Sequence, residues 1–331
     1  MMSKYLKYIA LLLLLFGGMI KGQDYIQSSE YIINPYALNQ AMAGYFGYPE
    51  IHLDYRKQWL KIYGGPETYN ISAFGNLYQE KMWLGGEAYR DQTGPLTRIK
   101  ANLSYSYILK TGENQHLFFG IWGSYYQNSI NLSNLVGVDP NDPLLNHLGT
   151  LNGNTFNVGF GLVYNSRNFN FGFAMPNALT NKNIYLTPDK ISFDMQREYL
   201  FHVSNLFWLS DNWEIQAMGV YQKTINEPGN LDVSATFFLA ERFWVGTLYR
   251  SSGVVAFNAG GYLVGGISVN YAYELGMSGI YRYSGPSNEI SLSFRFGMKG
   301  GSYYRNKNAY SNHVRRIKHR NYRLNVPQII D

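Results

Sequence analysis

The 331-residue chain contains no cysteine. That excludes a disulfide framework, a thiolate metal site and a cysteine nucleophile, and leaves the compartment open. Charge is scarce as well: Asp, Glu, Lys and Arg make up 15% of the residues, against roughly 25% in a typical soluble domain. Beyond the N-terminus no stretch approaches the 18 apolar residues that a membrane-spanning helix needs, so a helical bundle in a membrane is excluded. No 3.6-residue hydrophobic period extends over a helical length. Gly-x-Ser-x-Gly and His-Glu-x-x-His are both missing, which removes two familiar hydrolase signatures.

What is present is aromatic and glycine-rich: 30 Tyr, 19 Phe and 34 Gly. Tyr and Phe favour strands, and Gly fits bends and crowded interiors. The formal net charge of +6 is distributed unevenly. Lys4, Lys7 and Lys21 lie in residues 1–22, and residues 299–331 hold eight Lys or Arg against Asp331. Without those two segments, residues 23–298 carry −4. The N-terminus reads as a secretory signal: Lys4 and Lys7, then the apolar run 9–16, then small residues, with cleavage expected before Gln23. A membrane anchor is the alternative, but the run is short for a crossing.

The body alternates with period two. In "TFNVGFGLVY", Phe156, Val158, Phe160, Leu162 and Tyr164 share one face, and Asn157, Gly159 and Gly161 the other. "ISLSFRF" and "ISVNYAY" repeat the pattern. Fourteen strands are expected, over residues 51–57, 68–77, 83–92, 97–109, 116–130, 155–164, 169–176, 199–209, 213–221, 231–239, 243–250, 254–264, 267–274 and 289–298. Their connections sort by parity. The long ones (58–67, 131–154, 177–198, 222–230 and 275–288) all follow odd-numbered strands, whereas the even ones are short, such as "KTGENQ" and "SDN". A soluble sandwich has no reason for this sorting. A transmembrane β-barrel does, with short turns on the periplasmic side and longer loops outside. Lipid would then cover the apolar face, and closure would remove the sheet edges. Tyr78, Tyr107, Tyr164, Tyr199, Tyr221 and Tyr249, at strand ends, suit interfacial girdles. The expected layout is a signal peptide (1–22), an N-terminal periplasmic or plug segment (23–50), an all-β outer-membrane barrel (51–298) and a basic periplasmic tail (299–331). Both termini are expected in the periplasm.

The segment "YIINPYALNQAMAGYFG", residues 31–47, has neither period. Its Asn34-Pro35 and its Asn39-Gln40-Ala41-Met42-Ala43-Gly44 run resemble the N-terminal signature of the PorP/SprF family, outer-membrane proteins of the type IX secretion system in Bacteroidetes. Gln40 and Met42 depart from that family's usual Pro and Tyr. Further motifs follow in order. "YRKQW" (Tyr55, Arg56, Lys57, Gln58, Trp59) and "GGPET" (Gly64, Gly65, Pro66, Glu67, Thr68) come first. "GPLTR" (94–98), "DPNDP" with Asp139, Pro140 and Asp142, "RFWVGTLYR" (242–250) and "SNEISLSF" (287–294) complete the series. The resemblance implies a non-enzymatic accessory without a cofactor or a small-molecule substrate. Its expected partners are a secreted cell-surface adhesin with a type B C-terminal domain, other type IX components and outer-membrane lipid, in support of export, surface attachment or gliding motility. A passive porin-like channel is the alternative.

Individual motifs have bland readings beside the specific ones. Asp139 and Asp142 offer hard oxygens for Ca²⁺, although Asp-Pro and Asn-Asp more often set turns. His52, Asp54 and Arg56 share a face of the first strand, and His202 and Ser204 share another. Either group suits a rim hydrolase or a polar lumen wall. Arg56 and Trp59 fit a partner contact or a structural pairing. The tail carries Arg315, Arg316, Lys318, Arg320 and Arg323 with interleaved Tyr. Nucleic acid is not expected to meet an exported tail; anionic head groups, a periplasmic component of the secretion machine, or simple solvation remain.

Overall fold

In a computed structural model, residues 28–131, 149–184, 192–210, 212–240, 242–263, 266–279 and 281–297 are described. The signal segment, Asp139, Pro140, Asp142 and the basic tail lie outside them. Among the described residues, fourteen antiparallel strands close into a barrel and two more form a small hairpin. In chain order the strands are β1 Glu50–Lys57, β2 Glu67–Tyr78, β3 Met82–Thr93, β4 Leu96–Gly112, β5 Gln115–Asn131, β6 Thr150–Ser166, β7 Phe169–Met175, β8 Asn181–Ile184 and β9 Ser192–Met195. Then come β10 Glu198–Trp208, β11 Trp213–Thr224, β12 Asn230–Leu239, β13 Phe243–Arg250, β14 Val254–Tyr262, β15 Ile267–Gly276 and β16 Ser287–Arg295. Strand β1 pairs with β16 and closes the barrel, with Tyr55 opposite Ile290 and Arg56 opposite Glu289.

All fourteen expected strands are present, most within a few residues of their expected bounds. Two differences concern loops. Strand β6 begins at Thr150, so it takes the end of the expected 131–154 connection. The 177–198 connection contains the hairpin β8–β9.

Alternation decides which way each side chain faces. Inward positions carry small polar groups such as Ser72, Ser104, Ser106, Asn157, Asn170 and Ser291, all buried. Outward positions carry Leu53, Ile71, Leu103, Ile121, Phe156 and Phe257, all exposed. Such an outer band requires lipid. The rows across the wall also mark the membrane boundary. Lys57, Glu67, Gln92 and Thr97 form a polar row, and the row two residues lower holds Tyr55, Tyr69, Arg90 and Ile99. Below it lie Leu53, Ile71, Ala88 and Ala101. Tyr78, Tyr221 and Tyr249 are exposed on the outer face, as interfacial residues should be.

The short connections gather at one end of the barrel and the long ones at the other. The β2–β3 connection is one of the short turns, and Gln79 and Glu80 take φ of 48° and 56° to make it. Fourteen strands spaced about 4.8 Å apart and tilted by about 40° give a Cα radius of about 14 Å. That is wide enough for a water-filled lumen unless something fills it.

Candidate functional site

The filler is the N-terminal segment itself. Between Ser29 and Tyr48 nearly every residue is buried, including Tyr31, Tyr36, Met42, Tyr45 and Phe46. Surrounded by wall, this segment has no solvent face and so shows no amphipathic period. It is a string of short turns: Glu30–Ile32, Pro35–Leu38 and Gln40–Met42. Pro35 stands at the first position of its turn, where the missing N–H costs nothing. Asn34 Nδ2 donates to Glu30 Oε1 at 2.7 Å and to Ser72 Oγ at 3.2 Å. Asn39 caps the next turn: its Oδ1 accepts from Ala41 N at 3.1 Å, and its Nδ2 donates to Phe173 O at 3.2 Å.

The wall is shaped to receive this segment. A Cβ on Gly120 would lie 2.6 Å from Ala41 Cα, and one on Gly161 would lie 2.2 Å from Asn39 Oδ1. Gly44, at φ +78°, lies against the Trp83 indole; a Cβ there would come within 2.1 Å of it. Ser106 Oγ donates to Ala41 O at 2.7 Å, Tyr36 and Ser104 share a hydroxyl hydrogen bond of 2.8 Å, and Asn170 Nδ2 donates to Tyr45 Oη at 3.0 Å. On the opposite wall Tyr31 Oη donates to Asp232 at 2.6 Å, and the Arg295 guanidinium lies 4.4 Å from the Phe46 ring centroid. The segment is thus fastened on several sides and forms a plug.

Two ionic clusters brace the lumen wall, and the second also holds the start of the plug. Near the short-turn end, Glu50 accepts from Arg295 Nε at 2.8 Å and lies 2.9 Å from His52 Nε2. Nearer the long-loop end, Arg56 is hydrogen-bonded to Glu274, and its Nε lies 3.2 Å from Glu289. Glu289 also accepts from Ser28 Oγ at 2.8 Å and Ser29 N at 3.1 Å. Arg250 Nε meets both Asp232 oxygens, at 3.2 and 3.1 Å. Buried charges persist when paired and hydrogen-bonded in this way.

Above the plug, toward the long-loop end, is a cavity of about 230 Å³. Its floor is plug (Glu30, Tyr31, Leu38 and Gln40), and part of its rim is the 176–198 connection. The first residues of that connection are fastened to the inner wall: Trp122 Nε1 donates to Pro176 O at 3.3 Å, Tyr126 Oη to Asn177 Oδ1 at 2.7 Å, and Leu179 N to Asn157 Oδ1 at 3.0 Å. Lys100 sits on the wall, 3.4 Å from Glu87 Oε2 and 5.7 and 5.9 Å from the Tyr89 and Tyr126 ring centroids. Burial pushes the Glu30 carboxyl above the ordinary carboxylate range, with His52, Asn34 and Asn70 pulling the other way.

The motif residues divide between plug and rim. Asn34, Pro35, Asn39 and Gly44 build the plug. Arg56 is 1% exposed and committed to Glu274 and Glu289, so it holds the lumen wall together. The β1–β2 loop is closed on itself: Gln58 N donates to Pro66 O at 2.8 Å, and a Cβ on Gly65 would lie 2.7 Å from Gln58 O. Trp59 takes φ +54°, and its N donates to Ser287 Oγ at 3.4 Å. Thr68 Oγ1 donates to Asp91 Oδ1 at 2.7 Å. These residues shape the site's frame; none of the interactions described for them faces outward to a partner.

The hydrolase candidates do not assemble. His52 belongs to β1 and His202 to β10, seven strands away around a fourteen-stranded ring, on opposite walls. Asp54 accepts from Ser291 Oγ at 2.6 Å, and Ser204 from Asn170 Nδ2 at 3.3 Å. Among the described residues no group of three or more acidic or histidine side chains is placed to hold a metal. Of the residues that line the cavity, sequence reading singled out Asp54, Arg56 and Thr68 and named Gln40 only as a departure from a family motif; it passed over Glu30, Asn70, Lys100, Tyr126 and Glu198. A charge at an inward position of a strand otherwise lined with Ser and Asn, as at Lys100, is the signal that would have found them.

Comparison with known proteins places these features. No curated protein matches the chain. Among solved structures it is similar to the Pseudomonas putida toluene transporter TodX, with 12% identity, a TM-score of 0.48, and 83% of this chain and 96% of that one covered. It is also similar to the CymD monoaromatic hydrocarbon channel (12%, 0.49, 84% and 95%) and to a Pseudomonas aeruginosa FadL homologue (11%, 0.48, 78% and 93%). Residues 20–294 match the family described as type IX secretion system membrane protein PorP/SprF. With most of its length matched, and with its closed, plugged fourteen-stranded barrel, the chain belongs to the PorP/SprF family of type IX secretion system membrane proteins.

Proposed function

We propose that this outer-membrane barrel is a binding accessory of type IX secretion, which receives a secreted surface adhesin at its long-loop end and supports that adhesin's export or attachment. The observation that carries the reading is the plug. A fourteen-stranded barrel is wide enough to conduct, but residues 29–48 fill this one and are hydrogen-bonded to several of its walls. What remains open is the cavity whose rim includes Pro176, Asn177, Met195, Gln196 and Glu198, on the side of the long loops. Rigid scaffolds that present long loops concentrate their binding residues there. Family membership supports association with other type IX components. A cargo with a type B C-terminal domain, and a role in gliding motility, complete the reading. The barrel works by recognition, with no bond made or broken.

Affinity purification of the tagged protein from its own gently solubilised outer membrane, followed by mass spectrometry, tests this. One dominant large surface protein, lost when its C-terminal domain is removed, is the expected result. A barrel that purifies alone and conducts steadily in a planar bilayer would replace the reading with a channel.

A further inference from the structure

The cavity above the plug is lined by more acidic than basic side chains: Glu30, Asp54, Glu87, Glu198 and Glu227 against Arg56, Arg98 and Lys100. Glu30, Asp54 and Glu198 line it and are 1%, 6% and 6% exposed. Each carboxylate is hydrogen-bonded to neutral donors. Glu30 accepts from the amides of Asn34 at 2.7 Å and Asn70 at 3.1 Å. Asp54 accepts from the Ser291 hydroxyl at 2.6 Å. Glu198 accepts from the amides of Gln222 and, at 3.3 Å, Asn177. Of the lining cations, Arg56 is paired with Glu274 and Glu289 and Lys100 with Glu87, and Arg98 is the third.

A second observation points the same way. Gln40, 6% exposed in the cavity floor, spends its amide N–H on Glu87, while its Oε1 meets no donor. Asn70 Oδ1, also on the cavity wall, meets none either. Buried acceptors without a donor are costly until one reaches them. The lining also has apolar and aromatic members, among them Tyr31, Leu38, Trp122, Tyr126 and Leu200. Such walls accept a methylene stem, and aromatic faces attract a cation.

We propose that this cavity receives an alkyl cation, an ammonium or guanidinium on a methylene stem, with the carboxyl oxygens of Glu30, Asp54 and Glu198, Gln40 Oε1 and Asn70 Oδ1 accepting its N–H groups. The Lys or Arg side chain of a protein docked at the long-loop end carries this chemistry, as does a free diamine. The side-chain form rests on the cargo reading above; the chemistry of the cavity does not.

Calorimetry on the purified full-length protein in detergent tests it. The probes are N-acetyl-lysine amide, cadaverine and, as the uncharged isostere, N-acetyl-norleucine amide. Saturable binding of the lysine probe with none of norleucine is expected. Glu198→Gln and Gln40→Leu, each checked for an intact barrel by its heat-dependent gel mobility, should weaken it by roughly tenfold and severalfold, the sizes expected on losing a charged and a neutral partner. Cadaverine binding well above the lysine amide would keep the cation site and assign it to free diamines. Norleucine binding as tightly as lysine, or saturable binding of neither cation, would overturn the proposal. Absence of cation binding while a type IX cargo still co-purifies would sink this inference and leave the cargo reading standing; the converse result would do the reverse.

Discussion

Gly120 and Gly123 belong to the same strand, three residues apart, and face opposite ways. A Cβ at Gly120 would lie 2.6 Å from Ala41 Cα and 2.8 Å from Ala41 N, both backbone atoms of the plug; one at Gly123 would meet nothing within 4 Å. Gly120→Leu therefore places a whole side chain where the plug's main chain runs, and Gly123→Leu places one in lipid. Overpacking of this kind costs roughly 1–3 kcal/mol, which is about a 5- to 150-fold shift in a two-state population. The shift falls on the plug. The strand pairing of Gly120 with Gly161 and Ser106 leaves the barrel a backbone ladder independent of Ala41. Both variants should retain the heat-dependent gel mobility of a folded barrel. In planar bilayers Gly120→Leu should open frequently or continuously, while wild type and Gly123→Leu stay mostly closed. A Gly120→Leu protein as silent as Gly123→Leu would refute the idea that the plug is seated against this wall. So would a wild type that already conducts steadily.

Three further outcomes follow from the same contacts. Arg250→Ala strands Asp232 and part of the charge on Glu274, so its denaturant midpoint should drop by the equivalent of about 3–5 kcal/mol, with Arg250→Met combined with Asp232→Leu recovering most of the loss; equal midpoints for single and double variants would contradict the pairing. Gly44→Ala adds a Cβ at φ +78° within 2.1 Å of the Trp83 ring, so the yield of refolded, heat-modifiable barrel should fall sharply, and an unchanged yield would show that the ring can move aside. Removing residues 178–195, the connection with its hairpin, should leave the barrel folded but reduce co-purification of the secreted partner; undiminished capture would place the contact elsewhere.

The barrel was legible because lipid imposes a period-two pattern that nothing else in the sequence obscures. Phe156, Val158, Phe160 and Leu162 announce their strand without any knowledge of its neighbours. Loop parity supplied the even closure. The hairpin β8–β9 was missed because each of its strands has four residues, too few for alternation to register. The plug's Asn-Pro and Asn-x-Ala-x-Ala-Gly runs could be matched to a family and the segment expected as either periplasmic or a plug, but the choice between the two could not be read. A segment buried on all sides carries no periodic face. Nor could the ionic clusters be read. Arg56 meets Glu274 and Glu289 only because the last strands return to pair with the first. Glu30, Asp54 and Glu198 come from the plug, β1 and β10, and closure alone brings them together.

The most direct test of the account is photo-crosslinking in living cells from two positions, Gln196 at the rim of the cavity and Glu113 in a short turn at the opposite end. The account predicts that the Gln196 probe captures one large secreted surface protein, and that the capture disappears when that protein's C-terminal domain is deleted. Capture of the same protein from Glu113 alone, or from neither position, would contradict it.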